Sequence, residues 1–201
     1  MHKGQRTNDK GPLIVLSGPS GVGKSTVVDH LLTTTKLPLR RAVTATTRDP
    51  RPGERPEIDY HFWTRDEFQS RLDRGEMLEH AIVHGRDFYG TPRSEVDSHR
   101  AAGTGVILVI DVQGAAQVRT QYPNDHWSVF LDPPSFDDLR MRLGNRGSED
   151  PARVARRLES ARDELARADE FDTRLVNGDL AATVATLDTL IREQFTVFHG
   201  G

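Results

Sequence analysis

The sequence predicts an α/β fold in which a buried parallel sheet is flanked by helices. Short apolar runs of four or five residues end at turn residues, as buried parallel strands do. Helical patterns alternate with these runs along the chain, and this alternation is typical of a parallel sheet. A glycine-rich loop joins the first run to the first helical pattern. The length of 201 residues indicates one domain.

Four apolar segments are predicted strands. They are Leu13–Leu16, Val106–Ile110, Trp127–Leu131 and Leu175–Val176. Turn residues mark their ends: Gly103 and Gly105 flank the start of the second strand, and Pro133 follows the third.

Five segments have helical patterns. They are Ser25–Leu32, Ser94–Ala102, Phe136–Leu143, residues 151–170 and Leu180–Phe195. Ser135 suits the N-cap of the third helix, and Pro151 suits the first turn of the fourth. Apolar residues of the fourth helix recur at steps of four and three, which places them on one face.

Residues 42–91 interrupt the alternation. They are rich in Thr, Arg, Pro, Gly and aromatic residues, which predicts short antiparallel strands and loops inserted between the first helix and the next core strand. Insertions of this kind often carry binding specificity. We therefore expect a flexible tail over residues 1–10 and a single domain over 11–201 that contains this insertion.

Composition excludes several function classes. The chain has no cysteine, which excludes disulfides, thiolate metal sites and thiol nucleophiles. No apolar run approaches the ~20 residues of a membrane span, and residues 1–11 are polar, so we expect a cytoplasmic protein. The net charge of −3 argues against a nucleic-acid polymer as partner. Residues 1–56 nevertheless hold 10 Lys and Arg against 4 Asp and Glu, a local positive field that suits a small anionic ligand.

The glycine-rich loop from Gly18 to Ser25 satisfies the pattern G-x-x-x-x-G-K-[ST], with a predicted strand before it and a helix after it. Its backbone N–H groups and the helix N-terminus suit a phosphate chain, Lys24 can bridge the β- and γ-phosphates, and the Ser25 hydroxyl can ligate Mg²⁺. The sheet is therefore predicted to be of the P-loop NTPase type. The expected nucleotide-phosphate site is Gly18, Pro19, Ser20, Gly21, Val22, Gly23, Lys24, Ser25 and Thr26.

A second cluster lies at the start of the insertion. Arg48 and Arg51 stand three residues apart in a proline-restrained loop, and Tyr60 follows nine residues later. Two fixed guanidinium groups and a phenol suit a phosphate clamp. The alternative interpretation is a solvated basic loop.

Two carboxylates are candidate ligand groups. Glu79 could accept hydrogen bonds from the N1–H and 2-amino groups of guanine, which adenine does not offer, although a surface glutamate beside aromatic core residues is the alternative. Asp111 follows an apolar strand, where P-loop proteins hold a metal-facing or ligand-facing carboxylate. Its alternative role is the N-cap of a following helix. His80 and His84 are four apart, but a strand-like pattern and the lack of a third ligand argue against zinc.

Arginines are concentrated between residues 140 and 157. The set is Arg140, Arg142, Arg146, Arg153, Arg156 and Arg157. On a mobile helical hairpin such arginines could close over a transferring phosphoryl group, stabilise its charge and exclude water. An ordinary charged helix face is the alternative, because acidic residues are interleaved.

Together these motifs resemble the guanylate kinase family over about residues 11–195. The matching segments read GPSGVGKST, TATTRDPRPGE, DYHF, EHAIVHGRDFYGTP, VIDVQG, RLGNRG and LVNGD. The resemblance implies that the phosphate of GMP is held by Arg48, Arg51, Tyr60 and Tyr89. It assigns the guanine to Thr44, Glu79 and Thr91, and places Asp111 near the acceptor nucleotide and magnesium. It also implies a lid over about 139–158, with Arg142, Arg146 and Arg157 on the ATP phosphates, and Asn177 near the adenine.

The resemblance implies a kinase that transfers phosphate from ATP, with Mg²⁺, to GMP and dGMP. The expected catalytic residues are Lys24, Arg48, Arg142, Arg146 and Arg157. Val109 departs from the family, many members of which have Asp there. Two other functions stay open: a guanylate-kinase-like scaffold module that binds phosphorylated partners, and a P-loop kinase with a different acceptor. The sequence leaves the oligomeric state undetermined.

Overall fold

A computed structural model of the chain describes residues 10–83, 86–144 and 151–199. Most of the predicted tail, residues 84–85 and residues 145–150, which include Arg146, lie outside these ranges. Within them, no helix is long and apolar enough to cross a membrane.

Nine strands are present in the described residues. They are β1 (Leu13–Ser17), β2 (Leu39–Arg41), β3 (Ala45–Thr46), β4 (His61–Phe62), β5 (Met77–Val83), β6 (Asp87–Pro92), β7 (Gly105–Val109), β8 (Trp127–Asp132) and β9 (Thr173–Val176).

Seven α-helices accompany these strands over the same described ranges. They are α1 (Lys24–Thr34), α2 (Arg65–Asp73), α3 (Asp97–Ala101), α4 (Val112–Gln121), α5 (Phe136–Gly144), α6 (Pro151–Leu165) and α7 (Leu180–His199).

The main sheet has five parallel strands in the order β2-β7-β1-β8-β9. Both faces of β1 are covered, so all five of its residues are buried. Ile14 and Leu16 pack in one core with residues of α1 and α7, whereas Leu13 and Val15 pack in another with residues of α4. This two-sided burial explains why β1 is continuously apolar, and it confirms the predicted α/β class.

A second, smaller sheet is built from the inserted segment. Its strand order is β4-β3-β6-β5, with one parallel and two antiparallel pairings. Helix α2 packs on it through Phe68, which joins Ala45 and Met77 in a small core. The sequence analysis expected only strands and loops here, and it missed α2 because this helix buries only Phe68.

Two further elements were not predicted. Strand β2 reads Leu-Arg-Arg, and its arginines pair with Glu95 and Asp29 at the edge of the sheet. Helix α4 has Gln113 and Gly114 in its first turn, and a glycine there is unfavourable for a helix, which obscures the apolar spacing of its buried residues. The helix predicted over 151–170 ends at Leu165 and is followed by a short 3₁₀ turn at Ala168–Glu170.

Candidate active site

A cavity of about 790 Å³ lies between the loop after β1, the second sheet, the start of α4 and one face of α6. Its lining includes Ser20, Gly21, Gly23, Lys24, Ser25, Thr26, Thr44, Arg51, Tyr60, Glu79, Tyr89, Asp111, Arg157, Ser160, Asp163, Glu164 and Arg167. The volume is within the range of ligand pockets. Charged residues from distant parts of the sequence therefore face one enclosed space.

The glycines of the P-loop are required by its backbone. Gly18 and Gly23 have φ angles of +141° and +103°, in the left-handed region that favours glycine. A Cβ at Gly18 would lie 2.4 Å from the Leu131 carbonyl oxygen, and one at Gly23 would lie 2.7 Å from Asn177 Nδ2. The loop can therefore curl tightly ahead of α1, with Gly23 as the N-cap.

Lys24 is folded back over this loop. Its Nζ donates to the carbonyl oxygens of Gly18 at 2.5 Å and Pro19 at 3.2 Å. Burial lowers the pKa of Lys24, and the nearby carboxylates of Glu164 and Asp111 oppose that shift. The ammonium group is thus held in the cavity wall between two negative charges.

Two predicted nucleotide residues support the P-loop from behind. Asn177 Nδ2 donates to the Val22 carbonyl oxygen at 2.8 Å, and Arg142 donates to the carbonyl oxygens of Val22 and Asn177. Neither side chain is among the described residues that line the cavity. Their hydrogen bonds to the Val22 carbonyl oxygen hold the backbone of the P-loop in place.

Helix α6 brings a charged face to the P-loop. Arg157 donates to Ser20 Oγ at 3.0 Å, and the Ser20 backbone N–H donates to Glu164 Oε2 at 3.1 Å. Burial raises the pKa of Glu164, while the charge of Lys24 lowers it. The sequence analysis did not select Glu164, although it lies seven residues after Arg157 and therefore on the same face of the helix. The alternative of an ordinary charged helix face suits Arg140 and Arg156, which are exposed, whereas Arg157 contacts the P-loop.

On the opposite side, Glu79 is a buried acid. It is 4% exposed and accepts a hydrogen bond from Thr91 Oγ1 at 2.7 Å. Burial raises its pKa to about 7; the Thr91 hydrogen bond opposes this shift, and the charge of Asp111 adds to it. The alternative of a surface glutamate is therefore wrong.

The start of α4 adjoins this acid. Asp111 Oδ1 accepts hydrogen bonds from the backbone N–H groups of Gln113 and Gly114 at 2.9 and 2.8 Å, and the residue also lines the cavity. Both roles considered for Asp111, helix N-cap and ligand-facing carboxylate, are therefore compatible with its position. A Cβ at Gly114 would lie 2.5 Å from Glu79 Oε2, so any larger residue there would force the Glu79 carboxylate to move.

The two arginines of the predicted phosphate clamp, Arg48 and Arg51, differ in their position relative to the cavity. Arg51, Tyr60 and Tyr89 line the cavity, whereas Arg48 is not among the described residues that do. The Arg48 guanidinium lies 4.9 Å from the centre of the Tyr60 ring and donates from Nε to the Tyr89 hydroxyl at 3.0 Å. Arg48 is thus packed and hydrogen-bonded behind the two phenols, whereas Arg51 is exposed, as the alternative of a solvated basic loop would have it.

A family model described as guanylate kinase matches residues 10–194. The chain belongs to the guanylate kinase family. It is 49% identical to a guanylate kinase of Nocardia farcinica over 183 residues, which cover 90% of this chain and 93% of the relative. It is 47% identical to one of Symbiobacterium thermophilum over 182 residues, covering 90% of this chain and 85% of the relative.

A solved structure supports the same assignment. The crystal structure of guanylate kinase from Anaplasma phagocytophilum superposes with a TM-score of 0.77 at 33% sequence identity, covering 93% of this chain and 87% of that one. The fold and family implied by the sequence motifs are thereby confirmed.

The residues that the guanylate kinase resemblance assigns to ligands fall into two groups. Those that line the cavity are Ser20, Gly21, Gly23, Lys24, Ser25, Thr26, Thr44, Arg51, Tyr60, Glu79, Tyr89, Asp111 and Arg157. Those placed behind its described lining are Gly18, Pro19, Val22, Arg48, Thr91, Arg142 and Asn177. Arg146, expected on the lid, lies outside the described residues. Val109, which replaces the Asp of many members, also lines the cavity.

Proposed function

We propose that the protein transfers the γ-phosphoryl group of ATP to GMP, producing ADP and GDP, and that it also accepts dGMP. One observation carries the proposal: a P-loop and a buried glutamate suited to guanine face the same cavity. Because dGMP presents the same base and phosphate groups as GMP, the two acceptors meet the same recognition groups.

The donor side of the cavity suits the phosphates of ATP. The N-terminus of α1 and the curled loop present backbone N–H groups, and Lys24 supplies a positive charge beside them. Arg157 contacts the same loop from α6. Binding of a phosphate at the Ser20 amide would require Glu164 to give up that hydrogen bond, so nucleotide binding and the position of α6 are linked.

The acceptor side suits guanine and one phosphate. The Glu79 carboxylate can accept from the N1–H and 2-amino groups of guanine, whereas adenine has no N1–H and no 2-amino group. Thr91 orients that carboxylate from the buried side. Arg51, Tyr60 and Tyr89 supply hydrogen-bond donors for the acceptor phosphate at the cavity wall.

The chemistry needs no general base. The phosphate of GMP is largely ionised near neutral pH, so its oxygen attacks the γ-phosphorus directly while the bond to the β–γ bridging oxygen breaks and ADP leaves. Positive groups around the cavity, Lys24 and Arg157 among them, neutralise the spreading charge. Closure of α6 and the second sheet over the bound nucleotides would exclude water, which would otherwise hydrolyse ATP.

Magnesium fits this site as a companion of ATP. Within the described ranges, no group of three or more His, Asp or Glu side chains could hold a metal by itself. The Ser25 hydroxyl lines the cavity at the start of α1, where it would bind an ion that is held mainly by ATP phosphates and water. When bound, the ion supplies charge neutralisation and orientation of the phosphates.

Lys24→Ala tests the proposed phosphoryl transfer. We expect kcat for ADP formation from ATP and GMP to fall by about 10³-fold or more, because a preorganised positive charge at the transferring group is lost. The variant should still fold, as circular dichroism would show, although loss of the hydrogen bonds to Gly18 and Pro19 can lower its melting temperature. Lys36→Ala, at an exposed position after α1, is the matched control and should keep full activity. An unchanged kcat in Lys24→Ala would contradict the mechanism.

A further inference from the structure

Glu54 contacts both Arg48 and Arg51, and the proposed function gives it no role. Its two carboxylate oxygens accept hydrogen bonds from Arg48 Nη1 and Nη2 at 2.6 and 2.7 Å, which forms a bidentate pair. Oε2 also accepts from the Arg51 backbone N–H at 2.8 Å, and the Glu54 N–H donates to the Arg51 carbonyl oxygen at 3.0 Å. One acid therefore binds the side chain of the first arginine and the backbone of the second.

The Arg48 guanidinium is held on nearly every side. In addition to Glu54, it donates to the Asp49 carbonyl oxygen and to the Tyr89 hydroxyl, so four of its five N–H groups have partners. Only 9% of its side chain is exposed. The Arg48 pair lowers the pKa of Glu54 to about 2, so the acid is ionised at neutral pH. The ion pair is a fixed part of the loop.

This arrangement sets the two phenols of the cavity wall. The Tyr89 oxygen accepts from Arg48 Nε, which leaves its own proton to be donated to another acceptor. The Tyr60 ring packs against the same guanidinium, and the two tyrosine rings meet edge to face at 6.1 Å between centroids. If Arg48 moved, both phenols would lose their support, although Arg48 is not in the described lining.

We propose that Glu54 is a positioning residue for the acceptor phosphate: it fixes the Arg48 guanidinium behind Tyr60 and Tyr89, and fixes the backbone of Arg51. The inference rests on the proposed function, in which Arg51 and the two phenols bind the phosphate of GMP. A competing role for Glu54 predicts the opposite change in KM for GMP. If Glu54 occupied the place of that phosphate on Arg48, its removal would strengthen GMP binding.

Steady-state kinetics of Glu54→Gln separate these roles. The substitution keeps the size of the side chain but removes its charge and one acceptor. We expect KM for GMP to rise about tenfold or more, the equivalent of one charge-assisted hydrogen bond. KM for ATP should stay within about twofold, because Glu54 contacts no P-loop residue. A general loss of structure would change both constants.

Glu67→Gln is the matched control. Glu67 pairs with Arg71 at 3.1 Å on α2, within the same inserted segment, and is not among the described residues of the cavity wall. It should leave both KM values and kcat unchanged. If Glu54→Gln does not fold, Glu54→Asp keeps the charge at shorter reach and should raise KM for GMP in the same direction.

A double-mutant cycle tests whether Glu54 acts through Arg48. In an Arg48→Ala background, Glu54→Gln should raise KM for GMP by much less than in the wild-type background, because only the contact with the Arg51 backbone then depends on Glu54. A rise as large as in the wild-type background, an unchanged KM in the single variant, or a lower KM would each overturn the inference. Absence of GMP phosphorylation in the wild-type protein would instead contradict the proposed function, and the two failures are thus distinct.

Discussion

At the scale of single residues, burial of the Glu79 carboxyl favours the uncharged form, whereas the proposed function uses the charged form. Guanine recognition needs the ionised form, but burial raises the pKa of Glu79 to about 7. The uncharged form is the more stable one in the folded protein. Its contribution to stability is complete below the unfolded pKa of about 4.5 and is lost as pH rises through about 7.

Glu79→Gln should therefore raise stability and lower activity. At about pH 8 the variant should gain up to about 3 kcal/mol in the free energy of unfolding over the wild type, and at about pH 5 the gain should nearly vanish. KM for GMP should rise about tenfold or more at about pH 8, because the amide cannot accept both guanine hydrogen bonds. The difference should shrink at about pH 5, where the Glu79 carboxyl of the wild type is itself protonated. Thermal unfolding and steady-state kinetics over this pH range measure the two effects.

Glu193→Gln provides the comparison for that pH series. Glu193 is exposed on α7, and its substitution should change neither stability nor KM. Equal pH dependence of stability in wild type and Glu79→Gln would show that Glu79 is not the titrating group.

The residue scale also shows what sequence reasoning reached. Lys24, Arg51 and Glu79 could be named from the sequence because a motif or a resemblance marks their positions, and all three line one cavity. Glu54 and Glu164 were not selected. Their roles depend on partners six residues and 144 residues away, respectively, and only the folded chain brings those partners into contact.

At the scale of elements, helix α4 links the main sheet to Glu79. Asp111 begins the helix, and Gly114 in its first turn leaves the space that Glu79 occupies. Helix α4 was not predicted, because Gln113 and Gly114 in its first turn are not typical of the start of a helix. Gly114 thus obscures the helical pattern of α4 in the sequence and also leaves space for Glu79 in the fold. By contrast, β1 and α1 were predictable, since a motif and two-sided burial agree there.

Gly114→Ala tests this junction. A helical alanine is favoured over glycine by about 1 kcal/mol, so the melting temperature should not fall greatly. The new Cβ must displace Glu79 Oε2, and we expect KM for GMP to rise about tenfold while KM for ATP changes little. Gly144→Ala, at the end of α5 with nothing within 4 Å of the added Cβ, is the control. Unchanged GMP kinetics in Gly114→Ala would contradict the proposed position of Glu79.

At the scale of the whole molecule, the fold converts an uneven charge distribution into one site. The cationic first quarter supplies Lys24 and Arg51, and the acidic middle supplies Glu79 and Asp111. The two sheets and α6 place these groups around one cavity, with the P-loop on one side and Glu79 on the other. The net charge of −3 conceals this division. Sequence reasoning found the uneven charge, but it could not show that Arg48 would lie behind the cavity wall, because that depends on how the second sheet packs.

Acceptor specificity tests the central claim most directly. The measurement is kcat/KM for ADP formation from ATP with GMP, dGMP, AMP, CMP and UMP as acceptors of the wild-type protein. We predict that GMP exceeds AMP by about 10³-fold or more, because a site built for the hydrogen bonds of guanine leaves a buried carboxylate unpaired with adenine. An AMP value equal to or above that for GMP would contradict the account.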